Sequence, residues 1–371
     1  MACATGFAAR AAGADEPKKP KQAKEAKQEA KQDSGKVDVG GRVLVRETVQ
    51  SVANAHWTGE MQVASARLRA RYDWKRLRAV VSVEVASGQV KLKDGFVSLD
   101  LPARFELVAG QFKMPLSPIE NESVWSLPTV GRGLLSDVLQ DSFHLTGRRP
   151  GFMASWRGHG EGLRPGLSLG GFQRDDFGGK TAPASPRDGF GLDAVARATL
   201  DWKGEDSLFE LGVGGSLRLL EATPLADPGR YWAASVDAQL DHTWCGQGVR
   251  AWLEGFAGTN SSALDTTPTT PGDPLFVAAR ALAAWRRGGV SKGEWYIEPF
   301  ALASFLDPNL DNAQDIVFEA SGGVGGGQWK RWKLQLELEV WRKSDVTPVL
   351  QAGGADLADH EAVLVQLGAG F

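Results

Sequence analysis

The chain has 371 residues, a formal net charge of -3 and 42% hydrophobic residues. A charge this close to zero gives no support for nucleic-acid binding, which usually needs a concentrated basic face. No window approaches the ~18 to 20 consecutive apolar residues of a membrane-spanning helix. This excludes helical membrane proteins but not β-barrels, because barrels cross the bilayer on alternating strands of ~10 residues.

The first 36 residues differ in character from the rest of the chain. Residues 1–14 are small and apolar and end in Ala12-Gly13-Ala14, an A-x-A pattern of the kind that precedes signal cleavage, so we interpret them as the remnant of an export signal. Residues 15–36 are rich in Lys, Glu, Gln and Ala, which favour helix. Their alanines form too thin a stripe for a packed core. We predict a short periplasmic tether, helical or disordered, with a coiled coil as the alternative.

From residue 37 to residue 371 apolar residues recur at every second position, which is typical of β-strands. We predict sixteen strands in this region: Val37–Val49, Met61–Trp74, Leu77–Val85, Lys91–Leu99, Phe105–Phe112, Arg149–Arg157, Leu167–Gln173, Phe190–Trp202, Leu208–Leu219, Tyr231–Thr243, Val249–Gly258, Leu275–Arg286, Glu294–Phe305, Val317–Gly326, Trp329–Trp341 and Glu361–Phe371.

The links between these strands alternate between short and long. Links after even-numbered strands are brief, such as Lys203–Ser207, whereas most links after odd-numbered strands are long and polar, such as Thr259–Pro274. Outer-membrane barrels alternate in this way, with tight periplasmic turns and longer external loops. Two links depart from the pattern, because the third is brief and the sixth, Gly158–Gly166, is longer than expected.

One face of each strand is suited to lipid. In the fifteenth strand, Leu334, Leu336 and Leu338 alternate with Gln335 and Glu337. Such alternation would also fit a soluble sandwich, but Trp and Tyr cluster near strand ends, as they do at membrane interfaces. These features together predict an all-β fold, a 16-stranded antiparallel transmembrane β-barrel. Its final aromatic residue, Phe371, resembles the signal that barrel assembly machinery recognises.

The segment Asp94–Trp125 resembles the signature of the phosphate-selective porin O and P family. A strand, a tight turn and a second strand lead into Gly-Gln-Phe-Lys-x-Pro at Gly110–Pro115, and a long link follows before Gly147–Gly158 resumes a strand. The resemblance implies a sixteen-stranded, trimeric, water-filled pore in a Gram-negative outer membrane, in contact with lipid and lipopolysaccharide. It does not fix the solute, so phosphate is one candidate.

Selectivity in a diffusion pore depends on the charge and width of its lining. Counting the apolar positions as outward, seven arginines near the first three strands point inward and could pass an anion from one guanidinium to the next. We therefore favour anion preference, and weak selectivity or cation preference remain alternatives, because acidic residues also point inward. The predicted pore-lining residues are Arg42, Arg46, Arg67, Arg69, Arg71, Arg76 and Arg78.

The link between the fifth and sixth strands, residues 113–142, is predicted to fold into the lumen as a constriction loop, with an ordinary external loop as the alternative. Acidic side chains on this loop would face the wall arginines and set up a transverse field. The candidate residues of this loop are Lys113, Glu120, Glu122, Arg132, Asp137 and Asp141.

Motifs for catalysis and metal binding are incomplete. The G-x-S-x-G spacing at Gly166–Gly170 has no helix after it, which a nucleophile elbow requires. His242 and Cys245 lack the second ligand pair of a zinc site. We therefore expect no enzyme activity, no cofactor and no metal, and we predict a porin for small hydrophilic solutes. A barrel enzyme of the lipase or protease type and a plugged structural or adhesive barrel remain the alternatives.

Overall fold

The computed structural model describes residues 35–52, 56–86, 89–160, 162–173, 192–220, 231–260, 275–289, 291–311, 316–343 and 359–371, together with the backbone of residues 351–352 and 355–356. The predicted export-signal remnant and nearly all of the predicted tether lie outside the described residues.

Long β-strands make up most of the described chain. Their bounds are β1 Lys36–Val52, β2 Thr58–Trp74, β3 Leu77–Ala86, β4 Gln89–Asp100, β5 Phe105–Lys113, β6 Arg148–Arg157, β7 Gly162–Gln173, β8 Leu192–Lys203, β9 Ser207–Leu220, β10 Trp232–Trp244, β11 Gln247–Thr259, β12 Leu275–Gly288, β13 Trp295–Asp307, β14 Val317–Gln328, β15 Trp332–Lys343, β16 Gln351–Ala352, β17 Ala355–Asp356 and β18 His360–Gly370.

Sixteen of these strands form one closed antiparallel barrel, as the sequence predicted. Each strand pairs with its neighbours along the chain, and β1 closes the barrel against β18 in a register that runs from Arg42 opposite Gly370 to Val52 opposite His360. Closure satisfies the backbone groups that an open sheet edge would leave unpaired. The short strands β16 and β17 form a separate two-stranded sheet.

The polarity of the barrel is the reverse of that of a soluble protein. On β15, Leu334 and Leu338 point outward and are 49% and 57% exposed, whereas Gln335 and Glu337 point inward and are 1% and 4% exposed. The last strand shows the same alternation, with Leu367 outward and Gln366 inward. The predicted assignment of apolar positions to the outer face is therefore confirmed on these strands.

The links separate into two ends of the barrel. We call the end reached by links after even-numbered strands the turn end and the opposite end the loop end. The sixth link is short, because β7 begins at Gly162 rather than at Leu167 as predicted, so the turn end keeps its short connections. The third link is brief, as predicted, because β3 ends at Ala86 and β4 begins at Gln89. The prediction that β15 begins at Trp329 is wrong, because Trp329 lies in the turn before it.

Aromatic side chains gather on the outside of the barrel at the turn end. Trp74, Trp202, Trp244 and Trp285 are exposed where their strands reach that end. Amphipathic aromatic rings of this kind favour the boundary between lipid and water.

The link between β5 and β6 carries short helical segments, Pro118–Asn121 and Leu134–Asp137, followed by one wider turn over Val138–Ser142. The hydroxyl of Ser117 caps the first segment by accepting a hydrogen bond from the Glu120 backbone N–H at 3.1 Å. Among the described residues, no helix is long and apolar enough to cross a membrane.

One glycine of the predicted signature has a clear structural role. Gly110 in β5 has a φ of 125°, which side chains rarely adopt. A Cβ at this position would lie 2.2 Å from the carbonyl oxygen of Gly95 on β4. Gly110 therefore allows β4 and β5 to approach closely just before the chain leaves the wall.

Candidate functional site: the lumen and its loop

The link of residues 114–147, which we call the lumen loop, lies inside the barrel. Its bounds differ from the predicted 113–142, because Lys113 still belongs to β5 and β6 begins at Arg148. Three wall carboxylates hold it: Glu254 accepts a hydrogen bond from the Ser117 hydroxyl at 2.9 Å, Glu319 accepts one from the Leu134 N–H at 2.9 Å, and Glu337 accepts one from the Val130 N–H at 2.6 Å. These carboxylates belong to β11, β14 and β15, so the loop reaches far across the lumen from β5.

Apolar packing also fixes the lumen loop to the wall. Its C-terminal half buries Leu135, Leu139 and Phe143 against Phe256 and Phe276, which point inward from β11 and β12. The rings of Phe143 and Phe276 lie 4.2 Å apart between centroids. These inward phenylalanines were not predicted, because strand alternation alone cannot show which part of a lumen is covered by a loop.

A buried ion cluster lies between the lumen loop and β12. The guanidinium of Arg280, which is fully buried, donates to Glu254 Oε2 at 2.6 Å and to the carbonyl oxygen of Arg132 at 2.8 Å. Glu120 lies 3.4 Å from Arg280 and also accepts a hydrogen bond from the Ser136 hydroxyl. Glu120 thus faces an arginine of the wall, but this is Arg280 of β12 rather than one of the seven arginines predicted to line the pore. Arg280 itself was not predicted as a site residue.

Two further predicted loop residues, Lys113 and Arg132, bind backbone carbonyl oxygens of the lumen loop. Lys113 Nζ donates to the carbonyl oxygens of Glu120 and Glu122 at 2.5 and 2.9 Å. Arg132 donates to the carbonyl oxygens of Ile119 and Glu122 at 3.1 and 2.6 Å. These contacts bind the first half of the lumen loop to its own second half and to β5.

Asp137 and Asp141 lie on the loop-end side of the lumen loop and are exposed. Although Asp137 reaches lumen water, the protein around it displaces much of its solvent, and this burial raises the pKa of Asp137 to about 7. The carboxylates of Asp141, Glu120 and Glu319 raise the pKa further, because each repels the ionised form. Of the predicted wall arginines, Arg46 is close enough to Asp137 to lower its pKa. Neither aspartate lines the cavity that holds Arg42, Arg67, Arg69 and Arg71.

A cavity of about 610 Å³ lies on the turn-end side of the lumen loop, and we call it the basic vestibule. Seven basic side chains and two carboxylates line it. The basic ones are Arg42, Arg67, Arg69, Arg71, Lys113, Arg148 and Lys330, and the carboxylates are Asp38 and Asp94.

The structure brings four of the seven predicted arginines together in the basic vestibule: Arg42, Arg67, Arg69 and Arg71. Arg46 lines a different cavity, and Arg78 lies 3.1 Å from Asp73 and 3.8 Å from Glu106. Arg76 is exposed in the turn between β2 and β3 and belongs to no strand, so its predicted place on the pore wall is wrong. Sequence reasoning missed Arg148, which begins β6, and Lys330, which lies in the turn before β15, because only the first three strands were considered for the pore lining.

Some basic groups of the vestibule already have anionic partners. Arg67 and Arg148 share Asp94, whose Oδ1 lies 2.7 Å from Arg148 Nε, and Arg71 pairs with Asp73 at 2.6 Å. Arg42 donates to the Ser123 hydroxyl of the lumen loop at 2.7 Å. Basic groups nevertheless outnumber carboxylates, so the vestibule can attract anions.

A second cavity of about 740 Å³ lies on the loop-end side, and we call it the acidic mouth. Glu60, Asp137 and Glu339 line it, together with Glu120, Arg46 and Arg132. Arg46 is turned toward the lumen loop, where it donates to the Val130 carbonyl oxygen at 3.0 Å. The two sides of the lumen loop therefore differ in the sign of their excess charge.

Solved structures of outer-membrane porins share this fold. The chain is similar to an anion-selective porin from Comamonas acidovorans, with a TM-score of 0.55 and 13% identity over 91% of this chain and 100% of the other. It is similar to OmpF of Salmonella typhi, with a TM-score of 0.61 and 12% identity over 91% and 98% of the two chains. It is also similar to a trimer form of OmpT, an outer membrane protein of Vibrio cholerae, with a TM-score of 0.55 and 10% identity over 91% and 100%.

These likenesses, together with the closed barrel and its lumen loop, define the fold class as that of the outer-membrane porins. No protein-family model matches the sequence, and no curated protein matches it. The resemblance to the phosphate-selective porin O and P family is therefore not confirmed.

Proposed function

We propose that this chain is a porin of the bacterial outer membrane that lets small hydrophilic solutes diffuse passively, with a preference for anions. Phosphate is one candidate solute. The role is passive, so it requires no catalytic group and no cofactor.

The outward apolar face supports the proposed location. Exposed leucines and valines on neighbouring strands would contact hydrocarbon, and the tryptophans at the turn end would lie at the membrane interface. In this orientation the turn end faces the periplasm and the loop end faces the outside, where lipopolysaccharide is the neighbouring lipid. Assembly by the barrel assembly machinery and a homotrimeric state are part of the proposal, the latter supported by the trimer form of the similar Vibrio protein.

The basic vestibule is the observation that carries the anion preference. Its seven basic side chains and two carboxylates leave an excess of positive charge within a confined, protein-walled space. Such a space concentrates anions, because the low-dielectric walls focus the field of the fixed charges. Arg67, Arg69 and Arg71 form one continuous inward row on β2.

The reversal potential in a KCl gradient across a planar bilayer tests the proposal. We expect the wild-type channel to be anion-selective. In the triple variant Arg67→Ala, Arg69→Ala, Arg71→Ala we expect the chloride-to-potassium permeability ratio to fall by a factor of about two or more. Arg287→Ala is the matched control, since Arg287 is exposed at an outward position of β12. Cation selectivity in the wild type, or an unchanged ratio in the triple variant, would contradict the proposal.

A further inference from the structure

The basic vestibule and the acidic mouth follow one another along the same wall. Arg42 of β1 lines the vestibule, and Arg46 of the same strand lines the mouth. Four residues of a β-strand span roughly 13 Å. The lumen loop touches β1 at these two levels, where Ser123 contacts Arg42 and Val130 contacts Arg46. The two charged zones are therefore arranged in series along the barrel axis.

The negative charge of the acidic mouth faces water more than its positive charge does. Glu60 and Asp137 are exposed, whereas Glu339 is 13% exposed beside His360 and Glu120 is buried. The two arginines of the mouth are instead directed at backbone carbonyl oxygens of the lumen loop, Arg46 at Val130 and Arg132 at Ile119 and Glu122. Among the described residues of the acidic mouth, Glu60 and Asp137 are thus the charged groups most open to mobile ions.

We infer that the lumen is bipolar and that the channel rectifies ionic current, passing more current when the compartment at the loop end is positive. This inference rests on the proposed porin function. It predicts that the conductance of the pore depends on the sign of the voltage.

The physical reason is the distribution of mobile ions. At a pH above the pKa of Asp137, ionised carboxylates enrich the acidic mouth in cations, and fixed guanidinium groups enrich the basic vestibule in anions. A positive loop end drives cations from the mouth and anions from the vestibule toward the boundary between the zones, which fills with carriers. The opposite polarity draws both kinds of ion away from that boundary and depletes it.

Screening makes the inference testable. In about 0.01 M KCl the Debye length is ~30 Å, so each zone controls its mobile ions, whereas at about 1 M it is ~3 Å and the zones lose that control. For the full-length protein in a planar bilayer with symmetric KCl, at a pH well above 7 so that Asp137 is ionised, we expect the currents at opposite voltages to differ about twofold or more at the low concentration. We expect them to become equal at the high concentration. An epitope tag in the turn at Cys245–Gly246, detected from one compartment, assigns the orientation.

A variant that neutralises the mouth isolates the cause. The combination Glu60→Gln, Asp137→Asn, Glu339→Gln should abolish the rectification at low salt while the channel stays anion-selective. Glu361→Gln is the matched control, because Glu361 lies at the same end on an outward position of β18, next to Arg342, and it should rectify as the wild type does.

The outcomes separate this inference from the proposed function. A wild-type protein that forms no channels would refute the porin proposal itself. Anion-selective channels with symmetric currents at low salt would refute only the bipolar lumen. Rectification that persists in the variant of Glu60, Asp137 and Glu339, or that has the opposite direction in the wild type, would also refute the bipolar lumen.

Discussion

Arg280 shows how a single side chain can fix the position of the lumen loop. It is fully buried, and it links Glu254 on the wall to Glu120 and the Arg132 carbonyl oxygen on the loop. Both carboxylates are removed from water. Arg280 is the guanidinium that pairs with Glu254, and it shares Glu120 with Arg132, which lies 3.7 Å from that carboxylate. Arg280 therefore contributes strongly to the free energy that holds the lumen loop against the wall.

We expect Arg280→Met to lower the free energy of unfolding by about 3 to 5 kcal/mol, because it leaves Glu254 as a buried charge without a guanidinium partner and Glu120 with Arg132 alone. Denaturant unfolding of the detergent-folded protein measures this. The double variant Arg280→Met, Glu254→Gln should recover part of the loss, since it removes one of the stranded charges. Arg287→Met, on the outer side of the same strand, serves as the control. If Arg280→Met unfolds as the control does, the cluster does not hold the loop.

Asp137 should make the barrel sensitive to pH. Its pKa is raised from the ordinary 3.8 to about 7, so the folded state favours the protonated carboxyl. This contribution to stability is fully present below pH 3.8 and is lost as the pH rises through about 7. We expect the wild type to lose thermal stability over this range relative to Asp137→Asn, measured by heat-induced unfolding in detergent at several pH values. The control Asp311→Asn, on an exposed link, should keep the pH dependence of the wild type. If Asp137→Asn shows that same pH dependence, the carboxyl of Asp137 is not its cause.

At the scale of the element, the strands were the most predictable part of the molecule. Alternation of apolar and polar residues determined which side of β15 and β18 faces outward, because strand side chains point to opposite faces in turn. The start of β7 was missed, since Gly162–Gly166 contains Pro165 and two glycines, which are residues that favour turns.

The lumen loop was predictable only in part. Its length and its place after β5 indicated an inward fold, and Lys113 and Arg132 were recognised as members of the site. Its partners on the far wall were not, because Arg280, Glu254, Glu319 and Glu337 come from strands far away in sequence. Alternation assigns such residues to the inside of a barrel but cannot show which of them meet a loop and which line open water.

The outer face of a strand provides a test of the environment outside the barrel. We expect Leu336→Lys to destabilise the folded protein in a bilayer by about 2 to 4 kcal/mol, because it places a charge at mid-strand on the lipid side. Gln239→Lys is the matched control, since Gln239 points inward and lies 3.2 Å from Glu210. Folding titrations into lipid vesicles compare the two. Equal stability of both variants would show that hydrocarbon does not surround β15.

At the scale of the whole molecule, closure of the barrel and the path of the lumen loop together produce the distribution of charge. The loop leaves the wall after β5 and is fixed to β11, β12, β14 and β15. It divides the interior into a basic vestibule at the turn end and an acidic mouth at the loop end. The arginines of β2 line the vestibule. The division of the lumen could not be predicted, because it depends on where the loop crosses.

The unitary conductance of the purified full-length protein in a planar bilayer tests the central claim most directly, namely that a water-filled passage runs past the lumen loop. A passage of this kind predicts discrete current steps whose size increases with KCl concentration. A protein that is folded and inserted in the bilayer but produces no steps would contradict it, because the lumen loop would then close the barrel completely.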